Sequence, residues 1–154
     1  MINISRRAIL VGFSVVVVSA QLGETLAADG LATGGKRVAL SGHDPVSYFT
    51  PGRPEKGSAE FSAAYDDITY WFKNAEHRAL FVADPDHYAP QFSAYCAISL
   101  SRGEIVEPDP DSFVIADGKL YMFGKKIGPA LFAEQNSRVV EKATQKWQEM
   151  RKHP

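Results

Sequence analysis

Alternation of apolar and polar residues is strongest where Phe113-Val114-Ile115-Ala116 and Lys119-Leu120-Tyr121-Met122-Phe123 flank Asp117-Gly118. A two-residue Asp-Gly link accommodates the positive backbone angles of a tight turn, so this segment predicts a β-hairpin. A second hairpin is predicted from Glu60 to Phe72. Phe61 and Ala63 face Ile68, Tyr70 and Phe72 across a turn at Asp66-Asp67, with aromatic and β-branched residues at alternate positions. A helix follows each hairpin. Asn74 caps the first and Asp84-Pro85 ends it, because the residue before proline is pushed out of the helical region. Leu80 and Phe81 are its expected inward residues. The last helix opens at Gly128-Pro129 and runs to about Arg151. Leu131, Phe132, Val139, Val140, Ala143, Trp147 and Met150 form its buried stripe at near-helical spacing.

The two hairpin-helix segments resemble each other. At an offset of 51, residues 66–81 and 117–132 share six identities in sixteen, including Tyr70 with Tyr121, Phe72 with Phe123 and Phe81 with Phe132. A repeated unit accounts for this, and so do the aromatics common to any hairpin that feeds an amphipathic helix. The expected fold is α+β: a small single domain, two β-hairpins forming antiparallel sheet, packed helices and a long C-terminal helix. Thr50 to Ser58 reads as a Gly- and Pro-rich connection, and Glu107-Pro108-Asp109-Pro110-Asp111 as a stiff acidic loop.

The start of the chain reads as an export signal. Arg6-Arg7 precede an apolar run from Ala8 to Ala20, and small residues follow near Ala27-Ala28. That run is about a dozen residues, against the roughly 20 that a spanning helix needs. Residues 1–28 are therefore expected to be cleaved, leaving no stable membrane anchor. The paired arginines resemble a twin-arginine signal, with an ordinary Sec signal as the alternative reading, and either implies a periplasmic protein. Residues 29–37 read as a flexible leader and 38–151 as the domain. Cleavage takes the 17 basic and 18 acidic residues to 15 and 17. No clustered basic face remains to attract nucleic acid, since the densest group, Lys142 to Lys152, alternates with Glu141 and Glu149.

One cysteine, Cys96, cannot close an internal disulfide. It lies in Pro90-Gln91-Phe92-Ser93-Ala94-Tyr95-Cys96-Ala97. Upstream stands Gly42-His43-Asp44-Pro45-Val46-Ser47-Tyr48-Phe49. Together the two motifs resemble the YHS domain family, whose stand-alone members pair a "DPV-x-YF" entry with a "P-Q-[FY]…YCA" centre. The resemblance covers roughly residues 38 to 150. It names a domain without naming an activity.

Three uses of the motifs follow. The first is a non-catalytic binding or accessory domain that contacts a small ligand or protein partner through His43, Asp44, Tyr95 and Cys96. The second, which the resemblance implies, is heavy-metal binding or delivery, because thiolate with imidazole suits copper or zinc. Its ligands would be Cys96, His43 and His87, although the metal-type relatives carry further cysteines that this chain lacks. The third is a thiol-dependent enzyme, which needs a cation or helix terminus near Cys96. Quieter roles exist for each residue. Cys96 among aromatic and small residues suits a core position, Asp44 before Pro45 suits a helix cap, and His77 suits a hydrogen-bonded place beside the buried stripe. No nucleophile triad, phosphate-cradling loop or tuned carboxylate pair is visible in the sequence, so an enzyme has no positive support.

Overall fold

The computed structural model describes Gly35 and residues 37–152, so Arg6, Arg7, the export segment and most of the leader lie outside the described residues. The chain order is β1 (Arg37–Val38), β2 (Ser58–Tyr65), β3 (Ile68–Phe72), α1 (Ala75–Ala83), α2 (Pro85–Tyr88), α3 (Ala97–Leu100), β4 (Asp109–Ala116), β5 (Lys119–Phe123) and α4 (Gly128–Lys152). The α+β class and the long C-terminal helix agree with the sequence. The hairpins do not merge into one sheet: β1-β3-β2 form one and β4-β5 another. Arg37, assigned above to the leader, pairs in parallel with Ile68 as part of β1.

The internal repeat extends to the hydrogen-bond register. In the first hairpin Tyr65 pairs with Ile68, Ala64 with Thr69, Ala63 with Tyr70 and Ser62 with Trp71; then a bulge intervenes before Ser58 meets Phe72. Adding 51 to every number gives the second hairpin, bulge included, from Ala116 with Lys119 to Asp109 with Phe123. A bulge inserts unpaired residues and re-aims a strand, so sharing one at the same place is far more specific than sharing aromatics. Phe61 falls within the first bulge and has no cross-strand partner in the ladder. The expected acidic loop is shorter than the sequence suggests, since Asp109 to Asp111 already belong to β4.

Side chains repeat as well. Phe81 of α1 lies 4.9 Å from Tyr70 and 5.0 Å from Phe72, ring centre to ring centre. Phe132 of α4 lies 5.0 Å from Tyr121 and 5.3 Å from Phe123. Each trio buries a helix face on its own hairpin, and each ring is worth roughly 2–3 kcal/mol of burial. His77 and Phe81, four residues apart, are the pair that α1 turns inward; Leu80 sits off that axis and is exposed, which corrects its expected placement. Leu131, its counterpart, is exposed too. In α4, Gln135 leaves helical geometry (φ −138°). Beyond it Val139 and Ala143 are buried.

Each unit also opens alike. Leu40, Ser41 and Gly42 take positive φ in one, and Phe92, Ser93 and Ala94 in the other. A turn of helix then follows, Pro45–Tyr48 in the first and α3 in the second. His43 N–H donates to Leu40 O at 3.0 Å and Tyr95 N–H to Phe92 O at 3.1 Å. The units meet where Tyr48 packs edge-on against Phe113, 4.7 Å between centres, and donates its hydroxyl to Pro110 O at 3.0 Å.

Candidate functional site

The four binding residues drawn from the sequence are two matched pairs. His43 and Asp44 in the first unit correspond to Tyr95 and Cys96 in the second, each pair placed by its left-handed turn. Three successive left-handed angles, a region that favours glycine, cost the non-glycine residues Phe92-Ser93-Ala94 of order 1–2 kcal/mol each and are held in place by the surrounding packing.

Asp44 is fully buried and its carboxylate is saturated by the protein. Oδ1 accepts the Val46 N–H at 2.9 Å, which is the expected cap. Oδ2 accepts the Lys73 N–H at 3.0 Å and the His77 Nδ1–H at 2.6 Å. This carboxylate holds the entry turn, the end of β3 and α1 together. It has no surface from which to contact a ligand. His77 is the hydrogen-bonded packing residue that the sequence suggests. His43 gives its Nδ1–H to Leu40 O at 2.8 Å.

Cys96 stands where Asp44 stands but lacks its partners. The counterparts of Lys73 and His77 are Gly124 and Gly128. The thiol is 5 % exposed and lies at a cavity of about 400 Å³ bordered by Val106, Phe123, Gly124 and Gly128. His87 is elsewhere, exposed on α2 and packed at 4.7 Å against the ring of Phe49. Among the described residues no three His, Cys, Asp or Glu side chains converge as a metal cluster, so the structure does not gather Cys96, His43 and His87.

Tyr95 points to a different place. Its ring lies beneath Arg37, whose guanidinium carbon is 4.0 Å from the ring centre, and 6.1 Å from the Trp147 ring. Arg37 is further held by Ser93 O and by Glu107 at 2.9 Å. This stack lines a hollow of about 310 Å³ that adjoins a cleft of about 600 Å³; the two share Asp66, Ser93, Trp147 and Arg151. The cleft lies between the tip of the first hairpin, the Ala89–Ser93 stretch of the second unit and the end of α4. Tyr65, Tyr70, Phe92 and Trp147 supply its aromatic lining.

The ionisable groups of the cleft are mostly committed. Arg151 clamps Asp66 through two bonds of 3.0 and 2.8 Å, and Tyr65 donates its hydroxyl to Asp86. That bond, with some burial, pushes the Tyr65 phenol up to about 12. Burial pushes Tyr70 well above the ordinary phenol range. Both phenols thus remain hydrogen-bond donors at neutral pH and neither is a base. Sequence reasoning placed Tyr70 in a hairpin, Trp147 in the buried stripe of the last helix and Arg37 in the leader; no local signal marks a cleft and an adjoining hollow whose walls come from segments as far apart as Arg37 and Trp147.

No protein-family model, curated protein or solved structure matches this chain.

Proposed function

We propose that this chain is an exported, non-catalytic binding module of the YHS type, and that it takes its ligand in the cleft where its two units meet. The observation that carries the reading is the aromatic lining of a cleft of about 600 Å³, a size that suits a small organic ligand. What supports binding without chemistry is the state of its ionisable groups: the phenols are held protonated and the acids are already bonded. The YHS assignment rests on Asp44-Pro45-Val46 and Tyr95-Cys96-Ala97, which open the two matched units.

Native mass spectrometry and elemental analysis of the protein recovered from the periplasm test this reading. An organic ligand that is retained by the native chain and lost in Trp147→Ala supports it. Protein carrying only stoichiometric copper or zinc, lost in Cys96→Ser, replaces it with the heavy-metal reading.

A further inference from the structure

Exposed aliphatic side chains gather at one place on the surface. Of the seven large apolar residues exposed among those described, Val106, Ile127 and Leu131 line the cavity beside Cys96, and Ile105 precedes Val106 in the chain. Ile127 is the most exposed of all, at 57 %. Ile98 and Phe123 complete the apolar wall, while Gly124 and Gly128 add no side chain where the first unit has Lys73 and His77. The volume of about 400 Å³ falls within the range of small-molecule sites. This cavity shares no lining residue with the aromatic cleft. Aliphatic side chains left open around a concavity mark a place where another molecule's apolar surface can be withdrawn from water.

A basic hollow adjoins it. Ile98, Arg102 and Leu131 also line a second space of about 180 Å³, with Arg138, Lys142 and Gln135, the residue at which α4 leaves helical geometry. Across the two spaces the charged lining is four cations, Arg102, Lys125, Arg138 and Lys142, and one acid, Glu104. None of the five forms an ion pair with a described residue. Even with Glu104 fully ionised, the lining keeps an excess of three positive charges. Glu134 and Glu141 of α4 line neither space. Arg102 stands at the junction, with the apolar cavity on one side and the basic hollow on the other.

Independently of the cleft, we infer that these adjoining hollows are a second binding site, for a medium-chain fatty acid. Its alkyl chain lies among Val106, Phe123 and Leu131, and its carboxylate meets Arg102 at the junction, with Arg138 and Lys142 beyond. An alkyl amine would bring like charge to four cations. The smaller hollow suits a compact head such as a carboxylate.

Isothermal titration of the full exported chain with hexanoate, octanoate, decanoate and decylamine tests the inference. Affinity for the acids should rise about fourfold per methylene and fall with added salt. Arg102→Ala should weaken decanoate about tenfold, the value of one hydrogen bond to a charged acceptor. Leu131→Glu, at a position 37 % exposed, should weaken it at least as much, with the fold of both variants checked by thermal melting. Amide shifts on adding decanoate should be largest at Gly124, Ile127 and Gly128. Shifts centred on the Trp147 indole would place the acid in the cleft and overturn the second site. Decylamine binding as tightly as decanoate, or an affinity indifferent to chain length, overturns the ligand class. If no acid binds while the chain sediments with phosphatidylglycerol vesicles or self-associates, a lipid surface or a second copy covers the patch and the inference fails. If no acid binds and neither occurs, it fails outright. The cleft reading survives each failure, because the two sites have no residue in common.

Discussion

Asp44 and Cys96 occupy the same position in two successive copies of one structural unit. Each follows a left-handed turn and precedes a turn of helix, and each donates its backbone N–H across the unit, to Glu55 O and Val106 O respectively, at 2.9 Å. One copy is closed by a buried carboxylate and imidazole. In the other, the thiol borders a cavity.

This asymmetry predicts unequal costs. Asp44→Ala strips the acceptor from two backbone N–H groups and from His77, all in the interior, and should destabilise by about 3–5 kcal/mol. Cys96→Ala removes one sulfur beside a cavity and should cost about 1 kcal/mol. Urea unfolding of both variants gives the comparison, and similar losses would refute the idea that only the first unit uses this position as a polar anchor.

Alkaline pH should unfold the protein through its buried phenols. Tyr48 and Tyr70 are both raised from the ordinary value of 10.0, burial being the largest cause in each. The folded state then holds protons that the unfolded chain releases. The stabilisation is complete below about pH 10 and declines as pH rises toward the folded values. Guanidinium midpoints measured from pH 8 to 11.5 should fall above 10, and Tyr70→Phe should fall less steeply. A flat profile for the native chain would contradict the burial of these hydroxyls.

The two hairpin turns differ in one useful respect. Asp66-Asp67 has φ of 51° and 62°, and Asp117-Gly118 has 51° and 72°. Glycine tolerates that region and aspartate is strained in it, so Asp67→Gly should stabilise by about 0.5–1 kcal/mol. Asp67 is exposed, so no packing is lost. A thermal melt of the single variant settles the sign.

Gly128 begins α4 directly against the second aromatic trio. A Cβ there would lie 2.3 Å from Phe123 Cβ, and the backbone-linked carbon cannot swing aside. Gly128→Ala should therefore cost about 1–3 kcal/mol or more through forced displacement of the helix. Gly52→Ala provides the contrast, with no atom within 4 Å of the added methyl and only its positive φ of 72° to resist it. Denaturation of both variants should rank Gly128 as the more sensitive.

What the sequence by itself determined is local. Alternation and the Asp-Gly link specify the second hairpin, Asn74 and Asp84-Pro85 bound α1, and Gly128-Pro129 opens α4, because turns, caps and periodicity act within a few residues. The repeat was legible at an offset of 51, where aromatic residues recur on equivalent faces. The opening segments escaped notice. There the offset is 52, and across Leu40–Tyr48 against Phe92–Leu100 only the serines at 41 and 47 recur, as 93 and 99. Residues as unlike as Leu40 and Phe92 adopt the same left-handed angle because the packing around them imposes it. Only tertiary structure could decide the rest. It placed Arg37 over Tyr95, closed Asp44 with His77, and brought Trp147 beside Tyr70 across the cleft, since contacts between distant segments are set by how units pack and leave no spacing to read along the chain.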